Sequence, residues 1–509
     1  MKKFIKILCI VLCLTIFVNI AGCEFSFMAK ENVKSDGAVE TVDNGKDKTE
    51  REDDKGEEEP TMKTLTELDE YQNYTATYTA LTPSGSCHDP AVFKDGNVYY
   101  LFGTNSTTKF SSTNLINWQF EGQVFNNLAS DMQNHVIGGS GYWAPDIIKY
   151  GNQYRLYYCL SAFGTQQSAI GFATANNVNG PYTHQGIVIK SKDSDPNSLP
   201  NAIDPNVVTD KDGKMWLCYG SFFGGIYIIE LDPATGFVKS GSGYEKNVDV
   251  SVNAGTKICA GNMSVGPEGP YIIYNPNTGY YYLFVSYGNL FSDYNVRVGR
   301  SKNITGPYTY GSNDGIEMQN QGGAENNHGN KVIGGYDFNL GGVSRMAPGH
   351  CSVLYDNGSY YMVNHVRNTG NSFDHYVQVH KILFNEKGWP CVLPNTYAGE
   401  KVQNIGTANL VGKWKAITFI KNNNNTIVAE EITVSENKSV SGAITGSIQA
   451  YEKGAIRLTV TSNSCGDEEL YQGIFSGFVI SGYDYDLRKS TLFISAVNEY
   501  GYSIVAEKV

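Results

Sequence analysis

The hydrophobic and polar positions of this chain repeat in five units. In each unit a polar residue beside or near Pro or Gly precedes an apolar pair, a short turn with Gly, and an aromatic-rich run such as Val98-Tyr99-Tyr100-Leu101-Phe102. Short apolar runs joined by Asp-Gly-like turns are typical of β-hairpins. The polar residues that mark the units lie 57, 58, 64 and 82 residues apart, and they are Asp89, Asp146, Asp204, Glu268 and His350.

A unit of roughly 60 residues has the length of a four-stranded propeller blade. The five units therefore predict an all-β fold, a five-bladed β-propeller over residues 76–398. A β-sandwich is the alternative, but it does not explain a polar residue at the same place in every unit. Because the first strand of each blade lines the axis, the five polar residues are predicted to converge on one pocket. Clustered like charges cost stability, so this convergence indicates catalysis or a bound cation.

Residues 399–509 have a different pattern, with short alternating runs such as Ala455-Ile456-Arg457-Leu458-Thr459-Val460. Alternation with a period of two is typical of half-buried strands. We predict a small antiparallel β-barrel here. The segment contains no catalytic constellation.

The N-terminus carries a targeting signal. Residues 1–23 have three lysines, then a mostly apolar run, then small residues before Cys23. This arrangement resembles a bacterial lipoprotein signal, in which the cysteine is lipidated; a plain signal peptide or an uncut signal anchor is the alternative. We expect the protein on the outer face of the cell membrane, held only by its lipid, or secreted.

Most of the negative charge lies in a predicted tether over residues 24–75. Residues 24–70 hold sixteen acidic and seven basic residues, a net charge of −9 out of −12 for the whole chain. Such a composition predicts a disordered, extended segment. Basic residues do not cluster anywhere, so we expect no nucleic-acid partner. We expect a monomer.

The seven cysteines that follow the signal are scattered, with no C-x-x-C pair. This pattern indicates neither a zinc site nor a disulfide framework. Buried free thiols are expected, and a single isolated bridge is the alternative.

Three acids on separate blades suit glycoside hydrolysis. This reaction needs a proton donor with a raised pKa on one side of the bond and a carboxylate on the other side. The third acid would tune and orient the donor. Acid and base on different blades would leave room for a water molecule between them, which predicts inversion at the anomeric carbon.

Five motifs, in this order, resemble glycoside hydrolase family 43. They are Cys87-His88-Asp89-Pro90, Trp143-Ala144-Pro145-Asp146, Asn201-Ala202-Ile203-Asp204-Pro205-Asn206, Glu268-Gly269-Pro270-Tyr271 and Gly349-His350. The residues and the order of these motifs are most similar to those of the endo-α-1,5-L-arabinanases of this family. The resemblance covers about residues 80–400, and the tail resembles the C-terminal β-barrel of longer arabinanases.

The resemblance implies a role for each axial residue. Asp89 resembles the general base, Glu268 the general acid, and Asp204 the residue that raises the pKa of the acid and orients it. His350 resembles an axial histidine beside one largely hydrated calcium ion. Calcium prefers oxygen ligands, so a hydrogen bond from His350 to a carboxylate is the alternative reading.

The same resemblance implies contacts with arabinan or an arabino-oligosaccharide. The residues implied to contact the substrate include Asp89 and Asp204. The others lie in loops; these are Trp143, Phe163, Gly164, Asn201, Ala202, Ile203, Ser221, Phe222 and Phe223. Core packing is the alternative role for each aromatic residue. Asp146 is left out of the catalytic set, because it could serve only to cap a blade.

Other functions remain open. An exo-acting α-L-arabinofuranosidase or β-xylosidase of the same family would use the same acids, with loops deciding the mode. The long Gly- and Asn-rich insertion at residues 320–342 is expected to form a wall of the groove. A non-catalytic glycan-binding lipoprotein would lack one of the acids, and a sucrose- or fructan-acting propeller would carry different motifs.

Overall fold

The structure, a computed structural model, describes residues 87–311, 315–320, 328–465 and 471–509, without the side chains of residues 371–373. The predicted signal, Cys23, the whole predicted tether and residues 321–327 of the insertion fall outside the described residues. Nearly all the secondary-structure elements of the described residues are β-strands. Its helices are α1 (Ser130–His135), α2 (Thr407–Leu410) and a 3-10 turn at Glu452–Gly454.

Five antiparallel sheets form the predicted propeller blades. Blade 1 contains β1 (Ala91–Asp95), β2 (Val98–Gly103), β3 (Thr108–Ser112) and β4 (Gln119–Gln123). Blade 2 contains β5 (Trp143–Tyr150), β6 (Gln153–Ser161), β7 (Ser168–Ala175) and β8 (Thr183–Ser191). Blade 3 contains β9 (Asn206–Thr209), β10 (Met215–Tyr219), β11 (Gly225–Leu231), β12 (Val238–Ser240) and β13 (Gly243–Glu245).

The remaining blades are longer. Two strands between blades 3 and 4 extend earlier sheets, with β14 (Val248–Asp249) pairing with β8 and β15 (Thr256–Ala260) with β11. Blade 4 contains β16 (Glu268–Asn275), β17 (Tyr280–Tyr287), β18 (Asn295–Ser301), β19 (Thr309–Tyr310), β20 (Ile316–Glu317) and β21 (Asn330–Ile333). Blade 5 contains β22 (Tyr336–Asp337), β23 (Arg345–Asp356), β24 (Ser359–Asn368), β25 (Asn371–Phe384) and β26 (Pro390–Val392). The predicted five-bladed propeller is confirmed.

The hairpin turns form where the sequence predicts them. Asp356 pairs with Ser359, which leaves Asn357 and Gly358 as a two-residue turn between β23 and β24. Both turn residues have positive φ, 49° and 81°. This is the geometry of a type I′ turn, whose twist matches that of the flanking strands and which favours Asn-Gly.

Polar side chains join the inner strands of neighbouring blades. Asp146 Oδ2 accepts hydrogen bonds from Val207 N at 2.7 Å and from Asn206 Nδ2 at 3.0 Å. Asn206 Oδ1 in turn accepts one from Ile272 N at 2.9 Å. Ser352 Oγ accepts one from Val92 N at 3.0 Å, which closes the ring between blades 5 and 1. These bonds satisfy backbone donors that the inner strands would otherwise bury.

After the propeller, eight strands close into a barrel. They are β27 (Gly412–Phe419), β29 (Glu430–Val434), β30 (Ser439–Gly442), β31 (Ile444–Ala450), β32 (Ala455–Asn463), β33 (Gly473–Asp484), β34 (Lys489–Asn498) and β35 (Ser503–Lys508). Alternate residues on all eight strands fill the interior with apolar side chains, including Trp414, Leu458 and Phe475. The predicted antiparallel barrel is confirmed.

The barrel packs on the propeller through its outer face. Ile417, Phe419 and Val505 share an apolar core with residues of blades 4 and 5. A short strand, β28 (Ile427–Val428), pairs in parallel with β22 of blade 5. The propeller and the barrel belong to one compact unit.

Two further expectations concern cysteines and membranes. The seven cysteines of the described segments are all free, and six are buried; Cys465 is partly exposed. The expectation of buried free thiols is therefore confirmed for those six. Within the described ranges, no helix is both long and apolar enough to cross a bilayer.

Candidate active site

The residues that enter the inner strands share an unusual backbone conformation. Asp89, Asp204 and His350 have φ of 53°, 57° and 46°, and so do Ala144 (40°) and Gly269 (56°) at the equivalent points of blades 2 and 4. A positive φ is costly for residues other than Gly and is found at sites that the surrounding structure holds in place. Every blade therefore has such a residue at this point, and blade 5 has a second one, Ala347, with φ of 51°.

This alignment corrects the predicted register of the repeat. Asp146 lies two residues after the left-handed Ala144, and Glu268 lies one residue before the left-handed Gly269. The sequence pattern predicts that the five polar residues occupy equivalent positions in the five blades. In the structure they do not. Asp146 instead matches Asn206 and Ser352, which bond to the next blade.

Asp89 is buried at the end of blade 1 and is surrounded by imidazoles. Its Oδ1 lies 2.8 Å from His88 Nδ1, 3.2 Å from His350 Nδ1 and 3.6 Å from His365 Nδ1. Thr104 Oγ1 donates to Oδ2 at 2.5 Å. Burial acts to raise the pKa of Asp89, but the imidazoles of His350, His88 and His365 together hold it well below its usual range. Asp89 is thus an ionised carboxylate, able to accept a proton.

Glu268 begins the inner strand of blade 4. Its carboxyl accepts a hydrogen bond from Ser221 Oγ at 3.1 Å and another from the Tyr294 hydroxyl. Burial raises the pKa of Glu268 to about 7, and the nearby Asp89 carboxylate adds to the rise. A carboxyl group with this pKa holds a proton near neutral pH and can donate it.

Asp204 lies between these two acids in the ring of blades. Its Oδ2 accepts a hydrogen bond from Gly269 N at 3.0 Å, so it contacts the residue next to Glu268. Burial, followed by repulsion from Glu268 and Asp89, holds the pKa of Asp204 well above its usual range. Buried carboxylates this close cannot all ionise, so the three acids share fewer negative charges than they could carry.

Asp146 is separate from this group. Its bonds run to Asn206 and Val207 on blade 3, and burial raises its pKa to about 7. It does not appear among the groups that shift the pKa of Asp89, Asp204 or Glu268. Its position supports the capping role rather than a catalytic one.

The candidate metal ligand His350 faces Asp89 through Nδ1. Among the described residues, the metal-type donors that lie within 4.8 Å of one another are His88, Asp89 and His365. This set offers two nitrogens and one carboxylate, which does not suit a calcium ion bound directly by protein atoms. Calcium would fit here only with water supplying most of its oxygen ligands, while the three buried acids supply negative charge.

The predicted substrate residues fall into two classes. Phe163 is 78% exposed at the end of blade 2 and is followed by Gly164, whose backbone is open on the Cβ side. Ser221 reaches Glu268, and Phe222 N donates to Pro267 O at 2.8 Å. This loop therefore lies against the proposed acid.

The other class is buried. Ala202 is fully buried and Ile203 nearly so, and both pack in the core shared by blades 2 and 3, against which the partly buried Trp143 also packs. Asn201 holds the loop in place, because its Nδ2 donates to Thr165 O at 3.2 Å. Ala202 consequently offers no surface to a ligand, since its place in the core determines its position.

The site also contains residues that the sequence reading missed. Thr104 accepts a hydrogen bond from Ala144 N at 2.8 Å while donating to Asp89, so it joins blades 1 and 2 at the site. His365 stacks on His88 with ring centroids 4.1 Å apart. His88 stands beside Asp89 in its motif and could have been noticed. His365 and Tyr294 carry no motif, because only the closed ring brings them to the axis.

Comparison with known proteins agrees with this geometry. The family model for glycosyl hydrolases family 43 matches residues 79–390, and one for a C-terminal lipocalin-like domain matches residues 394–506. The extracellular endo-alpha-(1->5)-L-arabinanase of Thermotoga petrophila is 33% identical over 457 residues, 82% of this chain and 92% of that protein. Extracellular endo-alpha-(1->5)-L-arabinanase 2 of Bacillus subtilis is 32% identical over 457 residues, 83% and 93% of the two chains.

A solved structure is similar over both parts of the molecule. The crystal structure of endo-1,5-alpha-L-arabinanase from Thermotoga petrophila RKU-1 superposes with a TM-score of 0.73 at 31% identity, covering 86% of this chain and 100% of that one. The motifs, the five blades and the matched family model all lead to one conclusion: this chain belongs to glycosyl hydrolases family 43.

Proposed function

We propose that this protein is an endo-acting α-1,5-L-arabinanase that cleaves internal linkages of arabinan with inversion. The observation that carries the proposal is the pair of opposite pKa shifts at one axis, lowered at Asp89 and raised at Glu268. Two carboxyl groups whose environments separate their pKa values are the pattern of a base and an acid. The relatives that match over both parts of the chain are named endo-arabinanases.

In the proposed reaction, Asp89 accepts a proton from the attacking water as that water bonds to the anomeric carbon. Glu268 gives its proton to the oxygen of the departing sugar, so charge does not build up on the leaving group. Asp204 positions the strand that carries Glu268 through its bond to Gly269 N. Ser221 and Tyr294 fix the orientation of the Glu268 carboxyl.

We further propose that a hydrated calcium ion lies beside His350, where it would offset the negative charge of the three acids. We also propose that the enzyme acts outside the cell, attached by lipid at Cys23. The names of the relatives support an extracellular location, and the small residues before Cys23 support the anchor. Labelled palmitate incorporated by the wild type but not by Cys23→Ala would support the anchor; equal labelling would refute it.

The experiment for the main proposal is the time course of products from linear arabinan. Endo action should release a ladder of oligosaccharides early, whereas release of a single small product from the first minutes would mean exo action. Xylan and nitrophenyl arabinofuranoside serve as controls for the alternative activities. Proton spectra of the first product should show the β-anomer, and an initial α-anomer would contradict inversion.

A further inference from the structure

A pocket lies where blade 5 meets the barrel, and none of the axial acids lines it. It is bounded by β22 and the start of β23, by the segment after β26, and by the hairpin between β33 and β34. We call it the interface pocket. Nineteen residues from the two parts of the molecule line it.

Three buried oxygen atoms in this pocket lack a hydrogen-bond donor. Gln378 Oε1, Asn395 Oδ1 and Glu507 Oε1 have no partner among the described residues, although these residues are only 1%, 7% and 3% exposed. A buried acceptor left without a donor costs about 1–3 kcal/mol, and native proteins seldom bury one. Ordered water or a ligand that supplies hydrogen-bond donors would satisfy all three.

The neighbouring bonds determine the orientation of these groups. Gln378 Nε2 donates to Tyr336 Oη at 3.2 Å and to Thr396 Oγ1 at 3.1 Å, which leaves its oxygen without a donor among the described residues. Asn395 Nδ2 likewise donates to the Glu400 carboxyl. Glu507 uses one oxygen to bond with the Asp484 carboxyl. Turning the Asn395 amide over would set its oxygen against the Glu400 carboxyl, so this amide keeps its orientation.

Aromatic rings form the walls of the pocket. Tyr483 and Tyr485 on the hairpin lie edge to face, with centroids 5.1 Å apart. Phe338 stands against Tyr336 at 5.6 Å on the blade 5 side. Flat apolar faces beside a few fixed polar atoms are typical of pockets for small neutral ligands. A sugar ring presents C–H faces to such walls and hydroxyl donors to such oxygens.

Most of the charged groups in the pocket pair with one another, and the Asp337 carboxylate accepts hydrogen bonds from Asn339 N and Ser344 Oγ. The Asp486 carboxylate is already paired with Arg345 Nη2, at 3.2 and 3.0 Å. Asp484 and Glu507 bond to each other, which requires a proton between them. The pocket residues also do not form a metal-type donor group in the described part of the chain.

We propose that the interface pocket is a second carbohydrate-binding site, which holds a pentose unit of the polymer away from the axis. The identity of the sugar rests on the proposed function, because the arabinan chain cut at the axis is the glycan that would reach this site. Binding there would keep a long chain on the enzyme between cuts. It would not affect a substrate too short to reach both sites.

Variants on the two walls test this proposal. Tyr483→Ala and Phe338→Ala each remove one ring, and Tyr355→Ala is the matched control, since Tyr355 is 54% exposed on blade 5 and does not line the pocket. We expect the KM for linear arabinan to rise roughly tenfold in the wall variants. The kcat of the wall variants for arabinotriose should stay at the wild-type level. For the control variant, both the KM for linear arabinan and the kcat for arabinotriose should stay at the wild-type level.

Crystals of the full chain soaked with arabinotriose give a second measurement that does not depend on the stability of the variants. Sugar density in the interface pocket would support the proposal, and ordered water alone there would overturn it. Wall variants with wild-type KM values on a polymer that the wild type cleaves would overturn it while the proposed function stands. A wild type that leaves arabinan uncut would overturn the proposed function instead, and soaking with the glycan it does cleave would then test the pocket.

Discussion

The propeller and the barrel both arrange strands around an axis, but they fill it with opposite chemistry. The propeller brings Asp89, Asp204 and Glu268 to its axis, where their pKa values are shifted in different directions. The barrel fills its axis with alternate apolar side chains from all eight strands, Trp414 among them. Charge at an axis costs stability, and apolar packing provides it. The axis of the propeller therefore carries the reaction, and the axis of the barrel stabilises the fold.

The largest expected effect is at the proposed acid. Glu268→Ala should lower kcat/KM on linear arabinan by about 10²–10⁴-fold, the contribution of a positioned general acid. The wild-type rate should also fall as the pH rises through about 7, because Glu268 then loses the proton it must donate. Initial rates across pH measure both effects. If circular dichroism shows that Glu268→Ala is folded and its rates are normal, Glu268 is not the general acid. The contrast between a catalytic axis and an apolar axis would then be wrong.

The corresponding change in the barrel should affect stability alone. Trp414→Ala removes a fully buried side chain from the barrel core and should cost about 3–5 kcal/mol of unfolding free energy. The rate per folded molecule should not change, since the side chain lies outside the propeller. Urea unfolding followed by fluorescence gives the first quantity, and active-fraction kinetics at low temperature gives the second. A drop in kcat without a loss of stability would contradict the assigned roles.

A smaller effect is expected where charge serves the fold rather than the reaction. Asp146→Ala leaves Val207 N and Asn206 Nδ2 without an acceptor, at a cost of about 1–3 kcal/mol each. Asp146→Asn keeps an acceptor and should cost less. Both variants should remain active when folded. An inactive but stable Asp146→Asn protein would place this residue in the chemistry after all.

The same residue makes a prediction about pH. The folded-state pKa of Asp146 is raised from 3.8 to about 7. The folded protein therefore binds this proton more tightly, and the associated stability is lost as the pH rises from about 4 to 7. Asp146→Asn should show a weaker decline than the wild type over this range in urea titrations. Equal slopes would mean that Asp146 is ionised in the folded protein at low pH.

The smallest expected effect is that of metal removal. If hydrated calcium lies beside His350, a chelator should lower the stability by about 2.7 kcal/mol or less, the value for an ion present at a hundred times its Kd. Added calcium, but not magnesium, should restore the melting temperature. His350→Ala should abolish the response to chelator. An unchanged melting curve and unchanged activity would reject calcium and leave His350 as a partner of Asp89.

The sequence predicted the blades better than it predicted the site. Hairpin turns such as Asn357-Gly358 are local, so their residues carry enough information to place them. The predicted register was wrong at Asp146. In the sequence, a polar residue near a Pro has the same appearance whether it lies at the start of the inner strand or two residues further along. The left-handed positions are in fact followed by Pro in four of the five blades, at Asp89, Ala144, Asp204 and Gly269. The position directly before Pro can be read from the sequence. It predicts the start of the inner strand better than the positions of the polar residues do.

The environment of the acids could not be read in the same way. Asp89 and His365 are 276 residues apart, and their contact exists only because the last blade returns to the first. Tyr294 reaches Glu268 from the loop before β18, in a segment without a recognisable motif. Pairings over such separations depend on the whole topology, which no local pattern encodes.

Closing the ring has a consequence for the order in which this enzyme becomes competent. The base on blade 1 takes its imidazole partners His350 and His365 from blade 5, and Ser352 joins the same two blades. Contacts between distant parts of a chain form late, since the intervening loop must lose entropy first. A partly synthesised chain therefore has Asp89 in place long before its carboxylate has the surroundings of a base. We therefore expect assembly and activation of this enzyme to be completed together, when the last blade docks on the first.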